Sequence, residues 1–294
     1  MSPTSAYYAL QLRHELSLRN RAFALQRRLS HVESYGGMRV TVFRPHQGRR
    51  RHGNFFDESY AAVLATPEWR KRLEKVHTSA GSSLPRTERG WRELDSSMSS
   101  DALLMNIFCC PHLADDPGLI ALLGINGPAL PEFGFRPGIP LKGGFADRTE
   151  VDMKLGTMLF EAKLSEADFR SAPATILAGY RDLEKVFETQ SLARQGGNVL
   201  SYQLVRNVLA AQAAGYDFCV LIDARRPDLL ESWYKILRCV RPMELHLRCK
   251  VLTWQELSAV VPERLAEFLD SKYGIVPPGV AASPVDAEDG LKNW

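Results

Sequence analysis

The chain has 294 residues, of which 45% are hydrophobic and 24% charged, and its formal net charge is +3. Those values exclude a largely disordered chain and any collagen-like or low-complexity repeat, and they allow one or two domains with a sizeable core. The small net charge hides an asymmetry: residues 1–75 carry fourteen Lys/Arg against six Asp/Glu, while the remainder is net acidic. A positive lobe of that kind is either a surface for a polyanion or a solvated basic face. The five cysteines (Cys109, Cys110, Cys219, Cys239, Cys249) are odd in number and form no CxxC pair, so a reducing cytoplasm is the expected compartment. No run of about 18 apolar residues suggests a membrane span, and charged residues interrupt the N-terminus where a signal sequence would be apolar.

In chain order, the first thirty residues read as a helix with Leu12, Leu16, Phe23 and Leu29 near helical spacing, closed by Gly36-Gly37. A short strand follows at 38–43, then a loop with Arg49-Arg50-Arg51-His52-Gly53. Two short helices flank Pro67, and a Ser/Gly-rich linker is expected over 78–90. Ser99-Ser100-Asp101 caps a helix that ends before Pro111. Residues 111–148 hold many Gly and Pro and are expected to be loops and short strands.

The second half alternates strands and helices. A hairpin is expected at 149–163, helices at 166–187 and 200–214, a buried strand at 218–222, a helix at 228–240, a strand at 244–252 and a last helix at 256–273. The tail 276–294 reads as disordered. The resulting class is α/β with a mixed sheet. Trp233 and Trp254 read as packing residues, His112 and His246 show no ligand spacing, and Asp223-Ala224-Arg225-Arg226 reads as a surface turn.

The hairpin carries the chemistry. With Gly156-Thr157 as a two-residue type II′ turn, position 155 pairs with 158, 153 with 160, 152 with 161 and 150 with 163. One face then collects Val151, Met153, Leu155, Met158, Phe160 and Ala162. The other collects Glu150, Asp152, Lys154, Leu159, Glu161 and Lys163. Asp152 stands opposite Glu161, with Cβ atoms ~4.5–5.5 Å apart. Two carboxylates at that separation repel unless a cation lies between them, and Mg²⁺ or Mn²⁺ would suit their hard oxygens. Lys163 on the same face is placed to hold a water or to neutralise charge on a phosphate. A solvated face with a Glu150–Lys163 ion pair is the plain competitor on spacing alone.

Asp152 followed by Glu161-Ala162-Lys163 resembles the metal-binding core of the PD-(D/E)XK nuclease superfamily. The continuation Leu164-Ser165-Glu166-Ala167-Asp168-Phe169 resembles a form found in uncharacterised bacterial restriction-endonuclease-like members. Ser99 through Phe108 resembles the first core helix, and Tyr202-Gln203-Leu204-Val205-Arg206-Asn207 resembles the helix after the motif. His52-Gly53-Asn54 and Trp69-Arg70-Lys71-Arg72-Leu73 resemble an N-terminal extension in the same group. Val151 stands where the name-giving proline would be, and Glu93 and Asp95 are weak candidates for the extra acid that some members add.

The resemblance implies a restriction-endonuclease-like αβββαβ core with a mixed sheet flanked by helices, plus a basic, mostly helical N-terminal extension. The corresponding divisions are 1–80, 81–275 and the tail 276–294. It implies a Mg²⁺- or Mn²⁺-dependent phosphodiesterase acting as an endonuclease on nucleic acid, DNA in the first instance, of restriction or defence type. Asp152, Glu161 and the Ala162 carbonyl would ligate the metal. Lys163 would act at the reacting phosphate. Gln203, Arg206 and Asn207, at i, i+3 and i+4, either position a phosphate or water near the metal, with Gln203 at the reacting group and Asn207 behind it, or form a polar helix edge; Glu166 either backs Lys163 or is a charge at a helix N-terminus. Apart from the resemblance, Arg49, Arg50 and Arg51 read as contacts to a nucleic-acid backbone or as a plain solvated loop, and Arg206 is a further candidate for nucleic-acid contact. No membrane partner is implied, and a homodimer is compatible with this reading. The alternative is a non-catalytic nucleic-acid-binding protein that retains the fold. The presence of all three of Asp152, Glu161 and Lys163 weighs against it, because degenerate members usually lose one.

Overall fold

The computed structural model describes residues 3–34, 39–44, 50–76 and 92–284. The expected linker and the far end of the tail lie outside these residues, as do Arg49 and the Gly36-Gly37 stop. The chain divides into two compact units. One comprises Met1–Ala9 with Ala129–Thr253, and the other Leu10–Pro128 with Trp254–Trp294. The segment expected to be nuclease-like, 81–275, is thus shared between both. Among the described residues no helix is long and apolar enough to cross a membrane. All five cysteines are buried free thiols.

The second unit begins in α1 (Pro3–Gln26), continues through the antiparallel ribbon β1 (His31–Glu33) and β2 (Thr41–Phe43), and adds α2 (Asp57–Ala65), α3 (Pro67–Arg70), α4 (Ser100–Phe108) and α5 (Pro117–Leu123). Ser99 caps α4 by accepting from the Ala102 amide, as its sequence predicts. Asp116 caps α5, a helix inside the stretch expected to be loops: Pro117 at its first position and Gly124 in the left-handed C-cap bracket a short apolar run. His52-Gly53-Asn54 is bound into this unit. His52 Nε2 lies 3.1 Å from Asp95 Oδ1, and Asn54 Nδ2 donates to the carbonyls of Leu94 and Ser96. Asn106 of α4 accepts from the Phe56 amide and donates to the Asn54 carbonyl.

The first unit holds β3 (Pro131–Phe135), the ribbon β4 (Ile139–Pro140) and β5 (Ala146–Asp147), then β6 (Val151–Leu155) and β7 (Met158–Ala162). It continues with β8 (Ser171–Pro173), α6 (Ala174–Ala178), α7 (Leu183–Val186), β9 (Arg194–Gln195), β10 (Asn198–Leu200) and α8 (Tyr202–Ala214). It ends with β11 (Asp217–Ile222), α9 (Pro227–Leu237), α10 (Met243–Leu247) and β12 (Cys249–Thr253). The main sheet is mixed, in the order β12-β11-β7-β6-β3. The members β3, β6 and β7 are antiparallel neighbours, whereas β7, β11 and β12 run parallel. α8 packs on β7 and β11, and α9 on β11 and β12. Leu204, Val205, Val208 and Leu209 supply the buried stripe of α8, and Trp233 that of α9. After β12 the chain returns to the second unit as α11 (Trp254–Ser258) and α12 (Glu263–Tyr273), separated where Pro262 starts a new helix.

Two expectations fail for local reasons. The helix expected over 166–187 is absent: Arg170 has φ 55°, Pro173 ends β8, and only two short helices follow. The strand expected over 244–252 is divided between α10 and β12, because the Glu244–Leu247 pattern forms a helical turn on Pro242.

Candidate active site

The hairpin forms in the expected register from its turn as far as the 153–160 pair, whereas the expected pairs of 152 with 161 and of 150 with 163 are not part of the ladder. Met153 pairs with Phe160, Lys154 with Leu159 and Leu155 with Met158. Gly156 takes φ 58° while Thr157 keeps a negative φ, which is the pattern of a type II′ turn. Val151, Met153, Leu155, Met158 and Phe160 are all fully buried, so one face is core as expected. Val151, however, belongs to the core cluster that also contains Leu159 and the α8 residues, on the side assigned to the polar face. β7 is central in the sheet and buried on both faces, which explains why Leu159 sits among the charged positions.

Beyond the 153–160 pair the Asp152 side chain bridges the two strands. Its Oδ2 accepts a 2.7 Å hydrogen bond from the Ala162 amide. The next residue back on β7, Glu161, is 1% exposed and both its oxygens are engaged. Oε1 lies 2.7 Å from Lys163 Nζ, and Oε2 accepts from Asn207 Nδ2 at 2.6 Å. Lys163 is 5% exposed and stands 5.7 Å from the Phe169 ring centroid. Burial alone would lower the pKa of Lys163, but Glu161, Glu166 and Asp152 together push it above the ordinary lysine value. The ammonium is therefore firmly charged, and three carboxylates surround it.

The elements explain this convergence. Glu161 and Lys163 sit at the C-terminal end of β7; its parallel neighbour β11, and β12 beyond that, finish on the same side, and Asp152 lies near the start of antiparallel β6. Ligand sites of parallel sheets lie beyond such C-terminal edges. Glu166 belongs to no helix; its Oε2 accepts from the Leu164 amide, so it acts beside Lys163 and not as a helix-terminal charge.

α8 contributes differently from expectation. Asn207 reaches Glu161 directly, whereas Gln203 makes no hydrogen bond to Glu161 or Lys163. The Gln203 Oε1 atom is buried without a partner among the described residues, and the Gln203 backbone N–H donates to the Phe169 carbonyl. Arg206, expected on a surface open to nucleic acid, is buried. Its Nε donates to Asn207 Oδ1 and its NH2 to the Glu150 carbonyl, so it ties α8 to the start of β6. Arg50 and Arg51 are exposed residues of the second unit, Arg51 lying 3.3 Å from Asp57 Oδ2. Asp101 of α4 is paired with Arg72 and Lys75, and Asp95 faces His52.

Three features escape the sequence reading. Asp223 and Arg226 are fully buried, not parts of a surface turn. Asp223 accepts from the backbone and guanidinium of Arg225. Arg226 donates to the carbonyls of Glu166 and Ala167 and to Asp228, clamping the segment that follows Lys163. The signal was there in a charged cluster directly after a buried parallel strand. Tyr180 donates to Asp147 Oδ2 and stands 2.7 Å from Tyr202 Oη. Although burial works against it, hydrogen bonds from Thr149 and Tyr180 hold the Asp147 carboxyl below its ordinary value; burial and the same Asp147 bond raise Tyr180.

For a divalent metal the donor set is two carboxylates, Asp152 and Glu161, with the Ala162 carbonyl adjacent in the chain. No group of three His, Cys, Asp or Glu side chains converges as a metal cage among the described residues. That composition fits Mg²⁺, which keeps several waters and takes one or two carboxylates, and it does not fit an all-protein cage.

The unit is thus an α/β domain with a mixed sheet and a buried acid–lysine cluster at its C-terminal edge. Residues 28–274 match the family model of the restriction endonuclease associating with ARP, and the chain belongs to that family. No curated protein and no solved structure matches the chain.

Proposed function

We propose that the protein is a metal-dependent nuclease of the PD-(D/E)XK type that hydrolyses phosphodiester bonds, with DNA as substrate and Asp152, Glu161 and Lys163 as its working residues. Membership of a restriction-endonuclease family supports nuclease chemistry. The observation that carries the reading is the convergence at one sheet edge: Asp152 holds the amide of Ala162 while Glu161, one residue earlier, holds Lys163. Three carboxylates, one buried and two half-buried, stand against one ammonium and leave an excess of negative charge at this edge, which a divalent cation would neutralise.

Asp152, Glu161 and the Ala162 carbonyl would hold Mg²⁺ or Mn²⁺, which when bound supplies charge neutralisation and a more acidic water. Asn207 keeps the Glu161 carboxylate oriented, and Arg206 keeps Asn207 oriented. Lys163, whose charged form the neighbouring carboxylates favour, presents donors to the anionic oxygens of the scissile phosphate as charge develops there. Arg226 fixes the Glu166–Ala167 backbone and so the carboxylate beside Lys163.

The test is incubation of purified protein with supercoiled plasmid and with single-stranded DNA, in Mg²⁺, Mn²⁺ or EDTA, beside Asp152→Asn. Cleavage in metal that is absent in EDTA and in the variant is the expected result. Cleavage that persists in Asp152→Asn would remove the assignment.

A further inference from the structure

A cavity of about 550 Å³ opens on the first unit along the segment that leaves Lys163. Asp168, Arg170 and Ser171 form one wall, and Arg194, Leu200 and Ser201 belong to others. Phe169 lies between the two places: its ring is near Lys163 Nζ, and the next two residues line the cavity. The cavity is therefore one short segment from the acid–lysine cluster.

Its construction is unusual in two ways. Arg170 and Ser201 both adopt φ 55°, a left-handed conformation that non-glycine residues rarely take. They follow the last pair of the β8–β10 ladder, Ser171 with Leu200, and so stand opposite one another where it ends. The Arg170 carbonyl accepts from the Tyr202 amide, which pins the turn. Moreover, the Arg170 guanidinium and the Ser171 and Ser201 hydroxyls have no bonding partner among the described residues, and Arg194 reaches only the Thr189 carbonyl, at 3.4 Å. The acids nearby are engaged: Asp228 with Arg226, Glu231 with Lys235, and Asp168 with the Arg170 amide. The groups left for a ligand are the Arg170 guanidinium, the part of the Arg194 guanidinium not on Thr189, and two hydroxyls, beside apolar surface from Leu200 and with Tyr8 also lining the cavity.

Guanidiniums with hydroxyls suit a phosphate, and an adjoining apolar and aromatic wall suits a base or sugar. We propose that this cavity is a nucleotide subsite, with the phosphate on Arg170 and Arg194, that takes one unit of the nucleic-acid strand whose cleavage occurs at Lys163. The assignment to a strand rests on the nuclease reading above; the nucleotide chemistry of the cavity does not.

The experiment has two arms, both in EDTA so that no cleavage intervenes. In the first, 5′-dAMP and deoxyadenosine are titrated into the wild type, Asp152→Asn, Arg170→Met and Arg194→Met, with ligand-observed NMR as the readout. Methionine retains length and the backbone cost at residue 170, and thermal melts check folding. The wild type and Asp152→Asn should bind 5′-dAMP equally, with deoxyadenosine at least tenfold weaker and each arginine variant weakened about tenfold. Failure of the wild type to bind 5′-dAMP, or equal binding by both arginine variants, overturns the site. In the second arm, a labelled single-stranded oligonucleotide is titrated into Asp152→Asn with and without Arg170→Met. Weaker binding with Arg170→Met is expected, and an unchanged Kd assigns the cavity to a free nucleotide and overturns its role in strand binding. If both arms succeed while the wild type cleaves nothing in Mg²⁺ or Mn²⁺, the nuclease reading falls and the nucleotide subsite stands.

Discussion

Asn207 Nδ2 donates to Glu161 Oε2 across 2.6 Å, so a side chain in the second turn of α8 fixes a carboxylate on the central strand β7. Both residues are buried, and the other Glu161 oxygen is held by Lys163. A buried carboxylate tolerates its setting only while its lone pairs are matched by donors.

Asn207→Ala removes one of those donors and strands Glu161 Oε2. An unsatisfied buried acceptor costs about 1–3 kcal/mol, more when charged. Asn207→Asp should destabilise further, because a second carboxylate would face Glu161. Urea unfolding near neutral pH measures both. Stability of Asn207→Ala equal to that of the wild type would show that the bond does not support the fold.

Asp152→Asn and Glu161→Gln should differ in what they report. Asparagine at 152 retains an oxygen to accept from the Ala162 amide, so the fold should survive while a hard anionic ligand is lost. Glutamine at 161 also removes the negative charge that compensates a buried lysine and should lower the melting temperature. Cleavage should fall by a factor on the order of 100 or more in each. Lys163→Ala should abolish turnover yet preserve Mg²⁺ binding, which isothermal titration would detect; loss of Mg²⁺ binding in that variant would contradict its proposed role.

Lys272 is fully buried in the second unit, with its ammonium 3.9 Å from the Phe43 centroid and its donor on Asn20 Oδ1. Burial without a carboxylate partner, and the nearby Arg27 charge, lower its pKa well below the ordinary lysine value. Between the lowered folded value and the unfolded value of about 10.4, the unfolded chain binds a proton that the folded chain does not. The resulting destabilisation is greatest below the folded pKa and is relieved as pH rises towards the unfolded one. Lys272→Met should therefore gain most relative to the wild type at the acid end of that window, and the difference should shrink as pH approaches 10. Melting curves of both proteins at matched pH values test this, and a difference independent of pH would show that Lys272 is not held neutral.

Gly53 is part of the His52-Gly53-Asn54 run that the sequence marks as family-like, and its packing explains the glycine. A Cβ there would stand 2.3 Å from Phe43 Cδ1, inside a ring that is itself fully buried. Gly53→Ala should cost about 1–3 kcal/mol through overpacking. A differential-scanning melt would register this, and an unchanged midpoint would mean that Phe43 moves freely.

The hairpin was legible from its turn to the 153–160 pair because period-two alternation and a Gly-Thr turn leave one register that buries the apolar face; the end of the ladder at Asp152, whose side chain takes the Ala162 amide, was not. Asn207 was legible only as a helix position near Gln203; which of the two touches Glu161 depends on the rotation of α8, fixed by the packing of Leu204, Val205 and Val208 and invisible in one sequence. Arg206 misled for the same reason, since an arginine on a polar edge reads as surface until Glu150 and Asn207 are found beside it. Arg226 was missed because its partners are the backbone carbonyls of Glu166 and Ala167, sixty residues earlier. The false helix over 166–187 shows local propensity losing to tertiary pairing: Ser171–Pro173 forms a strand because Asn198–Leu200 is there to pair with it.

The basic segment of the second unit offers the last test. Arg50 and Arg51 are exposed, and the Arg51 side chain keeps 73% of its surface open despite its 3.3 Å contact with Asp57. Exposed ion pairs contribute little, so Arg51 is available to a stronger anion. If this segment meets a nucleic-acid backbone, neutralising Arg49, Arg50 and Arg51 together should weaken DNA binding across all sequences. Each lost phosphate contact should reduce the slope of log K against log salt by ~0.9 on duplex DNA. The measurement belongs in Asp152→Asn, where cleavage does not consume the probe, with fluorescence anisotropy over a salt series. Cleavage rates at saturating DNA should be unaffected, because these residues are proposed to act only in binding. A triple variant that binds with the wild-type slope would show that the basic excess of residues 1–75 is a solvated surface.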